Sequence, residues 1–152
     1  MAGNVPATMG LAWVFEQFEN ALTESTLQLK LPDRIDPANA DPAHLAHRGI
    51  AVQIPSTDNT GLYRDDSFAL AADRVEVSLT YRVRPQEQRT SRREAIELEE
   101  RIREVLVSES WQRDLHVSYV GTSQRGPHPN SSEWFLITQV FATRRDAQLG
   151  GM

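Results

Sequence analysis

The chain has no cysteine, which removes a disulfide framework, every thiolate nucleophile and every cysteine-based zinc site. Lysine is almost as scarce. Fifteen of the sixteen basic residues are arginine, the bias a GC-rich genome imposes. No Lys or Arg precedes Lys30, so the basic segment that opens a secretory signal is missing. Apolar runs such as Leu11–Phe15 and Trp134–Ile137 fall far short of the roughly 20 residues a bilayer span needs. A protein of a cytoplasm-like compartment with no membrane partner is expected, and the acceptor pattern Asn130-Ser131-Ser132 carries no weight there.

Signature motifs are missing too. There is no G-x-G-x-x-G, no G-x-S-x-G elbow and no H-E-x-x-H helix, and Gly121–Gly126 is followed by Pro127 and His128 where a phosphate loop needs Lys and a hydroxyl. Excess positive charge is absent as well: 16 basic against 21 acidic residues give −5, the wrong balance for a generic nucleic-acid binder. That charge is uneven. Residues 1–66 hold nine acids and four bases, whereas residues 67–152 hold twelve of each.

What is present suits one domain. A chain of 152 residues buries about 70% of its extended surface on folding, enough for a core without metal or disulfide. Leu11, Val14, Phe15, Phe18, Leu22 and Leu29 recur at helical spacing before Pro32. Gly49–Pro55 alternates briefly as a strand, and Arg74–Arg84 alternates at length, with Val75, Val77, Leu79, Tyr81 and Val83 on one face. Ser91 and Glu94 form a capping-box pattern before a second helix striped by Ala95, Leu98, Ile102, Val105 and Leu106. Leu115–Thr122 and Glu133–Thr143 complete the strands, giving an α+β domain with a largely antiparallel four-stranded sheet packed with two main helices.

Long loops are expected at 32–48, 56–72 and 123–132, with a helical turn near Pro42–His47 and flexible termini at about 1–8 and 145–152. Pro127 and Pro129 are expected to exclude a tight two-residue turn. The final strand is apolar on both faces, Trp134, Leu136 and Val140 on one and Phe135, Ile137 and Phe141 on the other, so each face needs cover. The helices supply one cover; a second layer of the domain or a neighbouring subunit supplies the other.

Few residues suggest chemistry. Asp41, His44 and His47 can share one face of a helical turn as metal ligands do, or stand as solvated loop residues. His116 reads as a surface or interface residue, and His128 has no evident partner. Asp58, Asp65 and Asp66, beside Arg64, suit either an acid–base or cation site or a solubilised loop. Arg82, Arg84, Arg89, Arg92 and Arg93 give residues 82–93 a net +4, and residues 94–109 carry −4. Arginine at a helix N-terminus opposes the helix dipole, a cost that contact with phosphates or with an acidic partner surface would offset, while a solvated face is the commonest meaning of such a charge run. No aromatic residues interleave to stack bases, so an acidic protein surface fits better than nucleic acid.

The order of elements, the strand Asp73-Arg-Val-Glu-Val-Ser-Leu-Thr-Tyr-Arg-Val-Arg84 and the closing segment Ser132-Glu-Trp-Phe-Leu-Ile-Thr-Gln-Val-Phe-Ala-Thr143 resemble the tail terminator proteins of long-tailed bacteriophages, and their tail-completion and head–tail joining relatives. The resemblance spans residues 10–145 and is one of pattern and topology. It implies a structural virion protein with no catalysis and no cofactor or metal. Such a protein is assembled in the host cytoplasm as a homohexameric ring that caps the tail tube protein, stops tube polymerisation and meets the head–tail connector or head-completion protein. DNA passes through the lumen without specific binding. The resemblance implies interface roles for Arg82, Arg84, Arg89, Arg92, Arg93, Trp134, Phe135, Ile137 and Phe141, and loop or lumen roles for Asp58, Arg64, Asp65 and Asp66. Part of the acidic first half is expected to face the DNA passage, where repulsion keeps the duplex sliding. The alternative is a small cytoplasmic α+β enzyme or ligand-binding domain using the Asp58–Asp66 loop.

Overall fold

A computed structural model describes residues 10–32, 36–63, 68–108 and 115–148. Six main elements follow in the order α1 (Leu11–Thr23), β1 (Gly49–Tyr63), β2 (Phe68–Arg82), α2 (Gln88–Leu106), β3 (Leu115–His128) and β4 (Ser131–Gln148). The strands form one antiparallel sheet in the order β1-β2-β4-β3, the α+β arrangement expected from the alternation.

The central β2–β4 ladder fixes which side chains share a face. Val75 pairs with Phe141, Val77 with Gln139, Leu79 with Ile137 and Tyr81 with Phe135, so these eight lie on one side of the sheet. Both helices pack there. Val14, Phe18 and Leu22 of α1 and Ala95, Leu98, Ile102 and Leu106 of α2 are almost fully buried against the strands, and Phe18 meets Phe141 with ring centroids 6.3 Å apart. Each such large apolar side chain contributes about 1.5–3 kcal/mol by leaving water, and together they make the core.

Helix α1 ends at Thr23, earlier than the apolar spacing suggested, because Leu27 and Leu29 are buried from an extended segment. Gln28 between them is left-handed at φ 57°. Lys30 then bridges in parallel to Gly49 at the start of β1. Helix α2 begins at Gln88, so Ser91 is not its cap. Ser91 is buried, and its hydroxyl accepts a hydrogen bond from the Arg84 backbone N–H at 3.1 Å, tying the helix to the end of β2. Glu94 is likewise drawn away, to Tyr81.

The second face of the sheet has a cover made by the chain itself. Residues 36–48, with 3-10 turns at Pro37–Asn39 and Pro42–His44, cross it as a strap. The Thr80 hydroxyl donates to the Ala46 carbonyl at 2.8 Å over β2, while His128 Nε2 lies 2.6 Å from the Pro37 carbonyl over β3. Strand β4 runs between those two points, which places the strap over Leu136, 1% exposed, beside Trp134, 6% exposed. His128 Nδ1 accepts the Asn130 N–H at 3.1 Å, so Nε2 carries the proton donated to Pro37. The strap also lies close. A Cβ added at Gly49 would come within 2.8 Å of the Ala46 carbonyl oxygen.

The hairpins are longer than the sequence suggested. Strand β1 runs to Tyr63 and β2 starts at Phe68, so most of the expected 56–72 loop is paired strand; two register shifts and an uncovered second face hide the alternation. Strand β3 continues to His128 and β4 begins at Ser131, leaving a two-residue turn at Pro129 and Asn130 in place of a 123–132 loop. Prolines permit this because Pro127 lies on an edge strand, where an N–H need not be given to the ladder, and Pro129 takes the first central turn position, which its fixed φ suits. Strand β4 also reaches Gln148, so residues 145–148 are ordered strand and not a loose terminus.

One buried carboxylate lies on the helix-facing side near the outer end of the core, which Leu115, paired with Arg145, carries one step further. Asp73, one step past the Val75–Phe141 pair, accepts hydrogen bonds from Thr57 of β1 at 2.6 Å, Thr143 of β4 at 2.8 Å and Arg145 Nε at 2.8 Å. Its side chain is fully buried and that of Arg145 is 6% exposed. Burial pushes the carboxyl up, but the bonds from Arg145, Thr57 and Thr143 together with the Arg145 charge outweigh it and hold Asp73 below the usual range. Three strands are thereby stitched at one point. Beyond it the backbone ladder still continues from Ala72↔Arg144 to Phe68↔Gln148.

Candidate interaction surfaces

The arginine run of residues 82–93 divides into three environments. Arg84 is held inside the chain: its Nε lies 2.7 Å from Glu87 and its Nη2 3.3 Å from Glu94. Glu94 also accepts the Tyr81 hydroxyl at 2.7 Å, and that bond, ahead of the Arg84 contacts, holds the Glu94 carboxyl below its ordinary range. Arg82 lies on the second sheet face with its guanidinium 5.9 Å from the Trp134 ring centroid. Arg89, Arg92 and Arg93 stand exposed on α2; Arg93 reaches Glu97 at 4.0 Å, whereas Arg89 and Arg92 make no ion pair among the described residues.

The apolar side chains of β4 expected at an interface are covered within the chain. Phe135, Ile137 and Phe141 face the helices and Trp134 lies beside the strap, all four 7% exposed or less. Of the acidic group, Asp58 is an exposed residue of β1 opposite Ala72, while Arg64, Asp65 and Asp66 lie outside the described residues. Asp58, Ser56, Ala72, Arg74, Val120, Val140 and Ala142 line an open groove of about 380 Å³ on the half of the second face that the strap does not reach. Val120 is 61% exposed there.

The expected histidine constellation separates. Asp41 Oδ1 accepts the Ala43 N–H at 2.9 Å, and His47 Nδ1 accepts the Arg82 N–H at 3.1 Å while its ring packs edge-on to Tyr81, with centroids 4.4 Å apart. Burial and the cations Arg48, Lys30 and Arg84 push the His47 pKa down, which suits this acceptor role. Among the described residues no three His, Asp or Glu side chains gather as a metal site. His116 is exposed on β3, as its alternation suggested, and His128 has the partner the sequence did not reveal.

A second buried carboxylate also went unforeseen. Glu99 of α2 is fully buried and accepts Arg125 bidentately, at 2.7 Å on each oxygen, together with the Thr122 hydroxyl at 2.6 Å. The Arg103 guanidinium lies 4.1 Å from the Tyr119 ring centroid, and Gln139 Nε2 donates to the Glu99 carbonyl at 3.0 Å. Burial raises the Glu99 carboxyl, and the bonds from Arg125 and Thr122 with both arginine charges lower it further, leaving it below its usual range. The signal was its position at Leu98+1 on the buried stripe, masked because Glu99 also fits an i,i+4 pair with Arg103. This cluster locks α2 to β3; both carboxylate oxygens are already occupied by protein donors, which leaves no lone acid aimed at a substrate.

The described residues therefore present structural carboxylates, a polarised helix and an uncovered half-sheet. No helix among them is long and apolar enough to cross a membrane. No protein-family model matches the chain, and no curated protein matches it as a relative.

Proposed function

We propose that the chain is a structural subunit of a phage tail terminator ring, the reading its element order suggested. The observation that carries this is the length of the sheet. Fifteen consecutive pairs join β2 to β4, a ladder of about 50 Å at roughly 3.4 Å per residue. A domain of this size has an expected diameter near 40 Å, and α2, with 19 residues, reaches only about 28 Å. The sheet thus overhangs its own helices, rooted at the Asp73 stitch. A lone domain gains little from such an arm, whereas in a ring it can reach the next copy or the tube.

Two further features favour the reading. Strand edges β1 and β3 lack a neighbour within the sheet and carry register shifts, the usual guard against uncontrolled edge pairing. On the second face of the sheet the exposed acids Asp36 and Asp41 of the strap and Asp58 of β1 offer negative charge of the kind proposed for the DNA passage. Electron microscopy of purified tail tubes incubated with the protein tests the function. Capped ends and tubes that stop elongating are expected; tubes that bind none of it and continue to grow would overturn the proposal.

A further inference from the structure

Helix α2 carries its charge in the order least favourable to itself. Its buried stripe runs through Ser91, Ala95, Leu98, Glu99, Ile102 and Leu106, so the side pointing away from the core carries Arg89, Arg93, Glu97, Glu100 and Glu104, with Ile96 at its flank. All five are exposed. The arginines lie at the N-terminal end, where the dipole favours acids, and the glutamates lie toward the C-terminal end, where it favours bases. No side chain caps the N-terminus. Arg89 and Arg93, and again Glu100 and Glu104, are like charges four residues apart, each pair mildly repulsive on one helix.

One partner reverses all of these costs together. We propose that the outward line of α2 is an isologous docking surface for a second copy of this chain, the two helices running antiparallel about a dyad between Ile96 and Glu97. In that register Arg89 meets Glu104 of the other copy and Arg93 meets Glu100, each contact occurring twice. Ile96, 37% exposed, lies at the centre opposite the level of Glu97 of the other copy. A parallel pairing sets like charge against like, so the antiparallel one is selected. Glu97 remains beside Arg93 in its own chain.

An isologous contact closes on itself and cannot build a ring. It therefore stands apart from the terminator reading: alone it gives dimers, and combined with a ring it joins two rings through their α2 faces. Exposed ion pairs with a small apolar centre make a weak, salt-sensitive association.

Sedimentation and native mass spectrometry of the full chain at low salt test this with two double variants. Arg89→Glu with Arg93→Glu makes the line wholly acidic, and Glu100→Arg with Glu104→Arg makes it basic but for Glu97. Each also corrects the helix dipole, so both should fold with melting temperatures no lower than the wild type. The expected result is pairing in the wild type that weakens at least tenfold in 0.5 M salt, loss of pairing in each variant alone, and 1:1 association when the two variants are mixed. Carrying all four substitutions in one chain should restore self-pairing. A wild type that never pairs, variants that pair as it does, or a mixture that fails to associate would overturn the proposal.

Discussion

Removing the Asp73 carboxylate tests how the overhanging arm is anchored. Asp73→Ala leaves Arg145, 6% exposed, without its bidentate partner, and leaves Thr57 and Thr143 without the acceptor they share. Removing one member of a buried pair costs up to about 3–5 kcal/mol, against a total stability of about 5–15 kcal/mol for a domain of this kind. Asp73→Asn, which keeps the shape and part of the hydrogen bonding, should lose roughly 2–3 kcal/mol. Urea denaturation at pH 7 measures both. The pH dependence provides an independent check. The native carboxyl lies below its ordinary value of 3.8, so its contribution is complete above about pH 4 and disappears as pH falls through the lowered native value. The gap between wild type and Asp73→Asn should therefore be constant from pH 5 to 7 and shrink below pH 4. Replacing both partners, Asp73→Leu with Arg145→Met, should recover most of the loss. A single variant within 1 kcal/mol of wild type, or a gap that persists in acid, would refute the reasoning.

Other expectations follow from the strap and the stitched strands. His128→Ala should cost about 1–3 kcal/mol and raise hydrogen exchange across residues 36–48 more than elsewhere, since it removes the bond to the Pro37 carbonyl; uniform exchange would contradict a latch. Gly49→Ala should destabilise by about 1–3 kcal/mol, because the new methyl meets the Ala46 oxygen at 2.8 Å and the Thr80 hydroxyl at 2.9 Å; an unchanged melting temperature would show the strap to be loosely seated. Tail-tube binding should fall when Val120 is replaced by Asp if the uncovered half-sheet is a contact surface, with no loss of stability at a residue 61% exposed.

The parts of the fold visible in the sequence are those where one face is apolar and the other polar. Arg74–Arg84 and the α2 stripe meet that condition, and the structure keeps both phases. The rest was hidden for specific reasons. From Ser56 to Tyr63 the chain pairs with β2 across register shifts, which break the two-residue period that marks a strand. The strap contains no periodic apolar run; it is held by carbonyls of Pro37 and Ala46, which any residue could supply. Ser91 and Glu94 matched a cap pattern, yet a backbone N–H from Arg84 and the Tyr81 hydroxyl competed for them. Among the site residues, the exposed arginines of α2 were legible as charge. The buried roles of Glu99, Asp73 and Arg145 were not, because each depends on a partner from another element.

The central claim is that this chain works as a member of a closed ring. Native mass spectrometry of the protein mixed with purified phage tail tubes addresses it most directly. The account predicts an assembly of six 17.1 kDa chains, roughly 100 kDa, at the tube end, or twice that where α2 faces join two rings. A chain that stays monomeric and unbound in the presence of tubes would contradict it.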